Sequence, residues 1–164
     1  MENRDEFVTL NEGEADRVRA NTSAEVNMRL DREMSERVES YAGKGETEIT
    51  RRIEELDRQW DMERLLETNA SALAGLGVGL AAATGSRKWL IVPGVVLSFL
   101  FQHAVQGWCP PVPVFRRLGV RTREEIDREK YALKALRGDF NEVAVSSGGG
   151  AMARANAALQ AARR

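Results

Sequence analysis

Two uncharged, mostly apolar segments of 18 residues each limit what this chain can fold into. They cover residues 69–86 and 89–106, and only Arg87 and Lys88 separate them. A helix of about 20 residues crosses a hydrocarbon core about 30 Å thick, so each segment is close to the length of a membrane span. So short a connection requires the segments to be antiparallel neighbours. The sequence therefore predicts a transmembrane helical hairpin over residues 69–107.

Interfacial residues flank the second segment. Trp89 and Trp108 bracket it, and their separation in the sequence corresponds to about 28 Å of helix, which suits aromatic anchors at two membrane surfaces. Arg116 and Arg117 are predicted to lie at the same interface. The alternative is a buried helical hairpin in a soluble domain, but the rest of the chain offers only narrow apolar stripes to cover it. We therefore favour the membrane.

Small residues recur every four positions in the first segment, at Gly75, Gly79 and Ala83. This spacing places them on one helix face, where backbones can approach closely in lipid. It predicts helix packing and self-association through that face.

Charge changes sign along the chain. Net charge is −8 over residues 1–68, +2 over residues 69–106 and +5 over residues 107–164. The acidic start has no apolar region behind it, so we expect no signal peptide there. Lys and Arg are more frequent on the two flanks of the hairpin than at its tip, which predicts that both termini are cytoplasmic.

Before the hairpin, residues 1–20 lack apolar periodicity and are expected to be disordered, and residues 21–68 to form an acidic helical arm. Two apolar stripes mark the arm's helices. They are Leu30, Met34, Val38 and Tyr41, and Ile49, Ile53, Leu56 and Trp60. These stripes fit either two solvated amphipathic helices or a coiled-coil seam for a partner or a second copy.

After the hairpin, residues 108–140 are predicted to form a Cys-Pro segment and a basic helix. The three prolines in residues 110–113 predict an extended exit from the span, and Gly138 is placed to end the following helix. Residues 141–164 are expected to be a flexible tail. The predicted fold class is thus all-α, a two-span transmembrane hairpin with cytoplasmic amphipathic helices on both sides.

Composition excludes several functions. A single cysteine cannot form an intramolecular disulfide or a cysteine-based zinc site, and a single histidine excludes the ligand sets of most catalytic metal sites. A net charge of −1 gives no case for a nucleic-acid binder. No catalytic constellation is recognisable, so we expect no catalytic residues, no bound metal and no cofactor.

Two polar features at the inner end of the second span leave alternatives open. Cys109 is either a partly buried structural thiol or a reactive thiol, and the preceding helix C-terminus favours a high pKa. Gln102 and Gln106 form a polar stripe with His103 beside it. These side chains fit interhelical hydrogen bonds or, in an oligomer, a path for a proton or solute.

The chain resembles the YgaP-like transmembrane family over residues 61–122. The matching positions are Gly107, Cys109, Pro110, Leu118, Gly119 and Thr122. The resemblance implies a small protein of the bacterial inner membrane, and some relatives carry a rhodanese sulfurtransferase domain ahead of the spans. No rhodanese active-site loop is possible here, because the only cysteine is Cys109.

These observations predict a non-enzymatic membrane anchor or interaction protein. Its expected partners are the lipid bilayer and either a second copy or another protein docked on the helical arm. A membrane-bound thiol or persulfide relay through Cys109 is the alternative function.

Overall fold

The computed structural model describes residues 16–145 and 150–163 of the chain. Every regular element in these ranges is helical, which confirms the all-α prediction. The α-helices are α1 (Arg17–Ala20), α2 (Ala24–Tyr41), α3 (Glu46–Arg58), α4 (Met62–Thr84), α5 (Ile91–Gln106), α6 (Val112–Arg117), α7 (Arg123–Arg137), α8 (Asn141–Val145) and α9 (Ala151–Arg163). A 3₁₀ turn over Arg87–Leu90 joins α4 to α5.

Two compact units make up the described residues, and they do not follow the linear segments expected from the sequence. Unit 1 contains residues 16–30 and Trp60–Glu124, and unit 2 contains Asp31–Gln59 with the described residues after 124. The predicted arm over residues 21–68 and the predicted segment over residues 108–140 are therefore each divided between units.

Helices α4 and α5 form the predicted hairpin in unit 1. The Asp61 side chain caps α4 by accepting a hydrogen bond from Arg64 N at 2.8 Å, and Gly85 ends the helix in the left-handed conformation, with φ of 66°. Gly107 ends α5 in the same way, with φ of 73°. Because a residue with a side chain is strained at such angles, glycine suits both helix ends.

Both hairpin helices are long and apolar enough to cross a membrane. The most apolar 18-residue window before the hairpin turn is only 17% buried, and the one in Arg87–Gln106 is only 11% buried. Many of their large apolar side chains are instead exposed. They include Leu73, Leu76, Val78, Leu90, Ile91, Val95, Leu97, Phe99, Phe101 and Val105.

The proline-rich segment is a turn that leads into a helix, and the predicted extended exit is wrong. Pro111 precedes α6 with helical angles, φ −75° and ψ −18°, and Pro113 lies in the first turn. The first N–H groups of a helix have no hydrogen-bond acceptor within the helix, so a proline near the helix start costs no hydrogen bond. The segment turns back on unit 1, where Val112 is buried against Met62 and Leu66.

Unit 2 has its own core, which uses the second predicted stripe. Ile49, Ile53 and Leu56 of α3 pack with Ile126 and Leu133 of α7, and all five are at most 4% exposed. Three of the four residues of this stripe are thus covered by the same chain, whereas the fourth, Trp60, is 45% exposed.

At the two ends of the chain, the structure differs from the sequence expectations in part. Residues 17–20 form α1 where disorder was expected, and residues 151–163 form α9 within the expected flexible tail. Residues 1–15 and the linker at 146–149 lie outside the described residues. Helix α7 ends at Arg137, and Gly138 follows with φ of 89°, as predicted.

Candidate functional site

Helix α1 covers the C-terminal end of α5. Arg17 donates a hydrogen bond to Ala104 O at 2.6 Å, and the Asn21 side chain donates to Gln106 O at 2.8 Å. The last carbonyls of a helix lack internal partners and carry partial negative charge, so a guanidinium suits this position. Sequence reasoning missed this contact because a four-residue helix is too short to show periodicity. The available signal for this helix was Asp16, whose side chain caps α1 by accepting a hydrogen bond from Arg19 N at 3.0 Å.

Arg116 is fully buried, and its prediction as a lipid-interface anchor is wrong. Its guanidinium donates to Asn27 Oδ1 at 2.9 Å, Val120 O at 3.1 Å and Thr22 Oγ1 at 3.2 Å. A buried charge is tolerated when its donors are satisfied in this way. Arg116 therefore joins the loop after α6 to residues near the start of α2.

The other predicted interface anchors differ in exposure. Trp89 is 42% exposed in the 3₁₀ turn, and Trp108 is half-buried just after α5. The Arg117 side chain is exposed, next to its buried neighbour. These positions leave a role as interface anchors open for the two tryptophans and for Arg117.

Cys109 lies in the core of unit 1 and is 3% exposed. It packs with Val18, Met62, Leu66 and Val112. Burial raises the pKa of the Cys109 thiol above its usual value, and a hydrogen bond with the backbone of Val112 acts in the opposite direction. The thiol is therefore held in its protonated form and shielded from reagents.

The three small residues Gly75, Gly79 and Ala83 lie on the side of α4 that faces away from α5. All three are exposed, and a β-carbon added at either glycine would meet nothing within 4 Å. Gly77 is the residue that packs inside the hairpin, because a β-carbon there would lie 2.6 Å from Pro93 Cδ. Sequence reasoning missed Gly77, which does not belong to the four-residue repeat.

The predicted polar stripe is split between two environments. Gln102 and Gln106 contact each other at 3.4 Å on the outside of α5. His103 is only 7% exposed, and its Nε2 lies 3.8 Å from Glu63 Oε1, which is too long for a hydrogen bond. Its Nδ1 is buried and has no hydrogen-bond partner among the described residues.

A cavity of about 590 Å³ in unit 1 has His103 in its wall. It is lined by the start of α1, the first turns of α4, the end of α5 and residues 122–124, and it is open to solvent on one side. Its charged lining consists of Asp16, Arg17, Glu63, Glu67, Arg123 and Glu124. In the part of the chain that the structure describes, no group of three or more His, Cys, Asp or Glu side chains could hold a metal ion.

Comparison of the chain with protein-family models, curated proteins and solved structures gives no match.

Proposed function

We propose that this chain is an integral membrane protein whose α4–α5 hairpin spans the bilayer and that it self-associates through the outer face of α4. Unit 2 is then a helical body held at the cytoplasmic surface. The protein then serves as a membrane anchor and assembles with further copies of itself.

The exposure of the hairpin is the observation that carries this proposal. A soluble helical hairpin buries its apolar side chains, but Leu76, Ile91 and Phe101 are 58%, 70% and 73% exposed. Contiguous apolar surfaces of this extent mark contact with a membrane or a partner. Between residues 69 and 106 the only charged side chains are Arg87 and Lys88 at the turn, as a bilayer requires.

The distribution of Lys and Arg supports cytoplasmic placement of both flanks. Arg64 precedes the first span closely, and Arg117, Arg121 and Arg123 follow the second, against two basic residues at the hairpin tip. The resemblance of residues 61–122 to the YgaP-like family supports the bacterial inner membrane as the location.

Self-association is supported by the geometry of α4. At 100° per residue, Gly75, Gly79 and Ala83 lie about 140°, 180° and 220° around the helix from the buried Ala70. The face is thus opposite the hairpin contact and open to a neighbour. Small residues at this spacing are typical of close helix packing in lipid. The helical arm is a weaker candidate, because Ile49, Ile53 and Leu56 of its second stripe are already covered within unit 2.

A dilution experiment in bilayers tests this function. Donor- and acceptor-labelled full-length chains in phosphatidylcholine liposomes should show energy transfer that falls as lipid is added. Gly75→Leu with Gly79→Leu should reduce that transfer, because the bulky side chains hold two α4 helices apart. Gly94→Leu adds the same side chain at an open position on α5 and should leave it unchanged. Energy transfer no greater than that of a monomeric span would contradict the proposal.

The relay through Cys109 has less support. A relay thiol must be reached by its partner and must ionise readily. Cys109 is 3% exposed, and burial raises its pKa. Neither Arg116, which donates to other groups, nor Arg117 is among the causes that shift the pKa of this thiol.

A further inference from the structure

We propose that a groove between α4 and α5 holds one acyl chain of a bilayer phospholipid. The inference rests on the proposed membrane span and adds a defined lipid site to it. The groove is separate from the self-association face, because Gly75, Gly79 and Ala83 are not among the residues that line it.

The groove has a volume of about 310 Å³ and lies near the open end of the hairpin, away from the turn. Leu66, Ala70 and Cys109 form its floor, and each is at most 8% exposed. Leu73 and Phe99 stand at its rim and are 49% and 39% exposed. The groove therefore opens sideways, toward surroundings that are hydrocarbon if the hairpin spans a bilayer.

Local packing explains why space remains at this point. Helices α4 and α5 meet closely at Gly77 and Pro93, near the turn. Two helical turns before Gly77, the side chain of Ala70 is only a methyl group, which leaves the space between the helices partly unfilled. Beyond the end of α5, Pro110 and Phe115 line the groove. The result is a concave surface bounded by two helices and the segment that follows them.

The lining determines the class of ligand. Among the described residues that line the groove, none carries a charge, and only Asn69 has an amide or hydroxyl group. The Asn69 side chain donates to Leu65 O at 2.7 Å, within its own helix. A polar ligand would lose its hydrogen bonds to water here without replacing them, which is unfavourable. The groove therefore suits a hydrocarbon chain and excludes a lipid headgroup.

Size distinguishes an acyl chain from a helix of a second copy. Leu66 and Leu73 lie about 10 Å apart along α4, which is about a third of the hydrocarbon thickness. A helix is about 10–12 Å in diameter, so two turns of one occupy roughly 800 Å³ or more. That volume is more than twice that of the groove. A single acyl chain is narrower and runs along the span within one leaflet, so it fits the groove in both width and direction.

Two phenylalanines of α5 provide a matched test. Phe99 lies in the groove wall and is 39% exposed, whereas Phe101 lies outside it, is 73% exposed and is only about 3 Å farther along the helix axis. The full-length protein is placed in phosphatidylcholine liposomes with a trace of phosphatidylcholine that carries a diazirine midway along one acyl chain. After irradiation, mass spectrometry measures the labelled fraction of each phenylalanine.

A bound chain and bulk lipid predict opposite results. Bulk lipid alone would label Phe101 more heavily, because it is the more exposed of the two. A chain seated in the groove has most of its surface against the protein, so Phe99 should carry about threefold more label than Phe101. Label on Phe101 equal to or above that on Phe99 would overturn the proposal and leave the span in place, as would follow if a second copy covered the groove. Absence of label from both would contradict the span itself and the proposal with it.

Variants locate the chain. Leu73→Trp puts a larger side chain at the groove rim and should lower the label on Phe99 about threefold, because it takes up the space of the acyl chain. Leu76→Trp makes the same change at an exposed position outside the groove and should leave the label on Phe99 unchanged. An equal loss in the two variants would overturn the proposal. The comparison of Phe99 with Phe101 uses the unaltered chain, so it decides the matter even where a variant fails to fold.

Discussion

Gly77 of α4 lies directly against Pro93 of α5, so that a β-carbon at Gly77 would come within 2.6 Å of Pro93 Cδ and 3.0 Å of Val92 Cβ. The two hairpin helices therefore meet through a backbone surface that only glycine permits. On the opposite side of α4, Gly75 and Gly79 meet nothing within 4 Å. Gly77 thus packs within the chain, whereas Gly75 and Gly79 leave the opposite face of the same helix open to another molecule.

This contrast predicts opposite outcomes for two substitutions of one kind. Gly77→Leu should lower the free energy of unfolding of the hairpin by about 1–3 kcal/mol or more, because the added side chain must displace Pro93. Gly75→Leu has open space and should leave that free energy nearly unchanged. Unfolding by sodium dodecyl sulfate in mixed micelles, followed by circular dichroism, measures both. Equal effects would contradict the assignment of Gly77 to the hairpin contact.

Arg116 and Arg117 form a matched pair for testing burial. Arg116→Ala should destabilise unit 1 by about 2–4 kcal/mol, because it removes the buried hydrogen bonds that Arg116 donates to Asn27 Oδ1, Val120 O and Thr22 Oγ1. Arg117→Ala removes an exposed side chain and should change stability by less than about 0.5 kcal/mol. The same unfolding measurement compares them. A larger effect at Arg117 would mean that both arginines act at the lipid interface as first expected.

Glu129 is a buried hydrogen-bond acceptor in unit 2. It is 1% exposed and accepts hydrogen bonds from Arg37 Nε at 3.1 Å and from Arg52 Nη2 at 2.8 Å. Glu129→Gln should cost unit 2 about 2 kcal/mol, which corresponds to about 30-fold faster amide exchange in α3 and α7. Glu54→Gln, in an exposed pair with Arg58 at 3.9 Å, is the control and should change exchange little. Unchanged exchange in Glu129→Gln would show that the two arginines do not depend on this carboxylate.

The pH dependence of Cys109 follows from its burial. Because burial raises the pKa of the thiol, the folded state favours the protonated form. That contribution to stability is fully present below the pKa of the unfolded chain and is lost as pH rises through the higher pKa of the folded state. Alkylation of the folded protein in membranes should therefore be slow near neutrality and should rise only above the usual range of a cysteine. The Cys109→Ala variant should accumulate in membranes to the same level as the unaltered protein. Fast alkylation of Cys109 below pH about 7 would contradict this account and favour the relay.

Much of the hairpin was predictable, because an 18-residue uncharged segment has few alternatives in water or lipid. The short charged connection at Arg87 and Lys88 predicted the hairpin turn, and Gly138 predicted the end of α7. The proline segment was not predictable in the same way, since Pro110, Pro111 and Pro113 suit an extended exit and a helix start equally. Tertiary packing of Val112 in unit 1 decides between them.

The site residues show the same limit. Sequence spacing identified Gly75 and Gly79 but not Gly77, because only the position of α5 reveals which face of α4 is covered. It identified Arg116 as basic and near a span, but a fully buried guanidinium depends on Thr22 and Asn27, far away in the sequence. His103 was recognised as polar, whereas the cavity around it depends on α1, which has no periodic signal.

Depth of the hairpin in a bilayer tests the central claim most directly. In a Cys109→Ala background, spin labels are placed singly at Leu76 and Leu97, which are exposed midway along α4 and α5, and at the exposed Arg58 of α3. In phosphatidylcholine liposomes the labels at Leu76 and Leu97 should collide readily with oxygen and hardly at all with a water-soluble nickel chelate, and the label at Arg58 should show the reverse. Equal access of the nickel chelate to all three labels would place the hairpin in water and contradict the account.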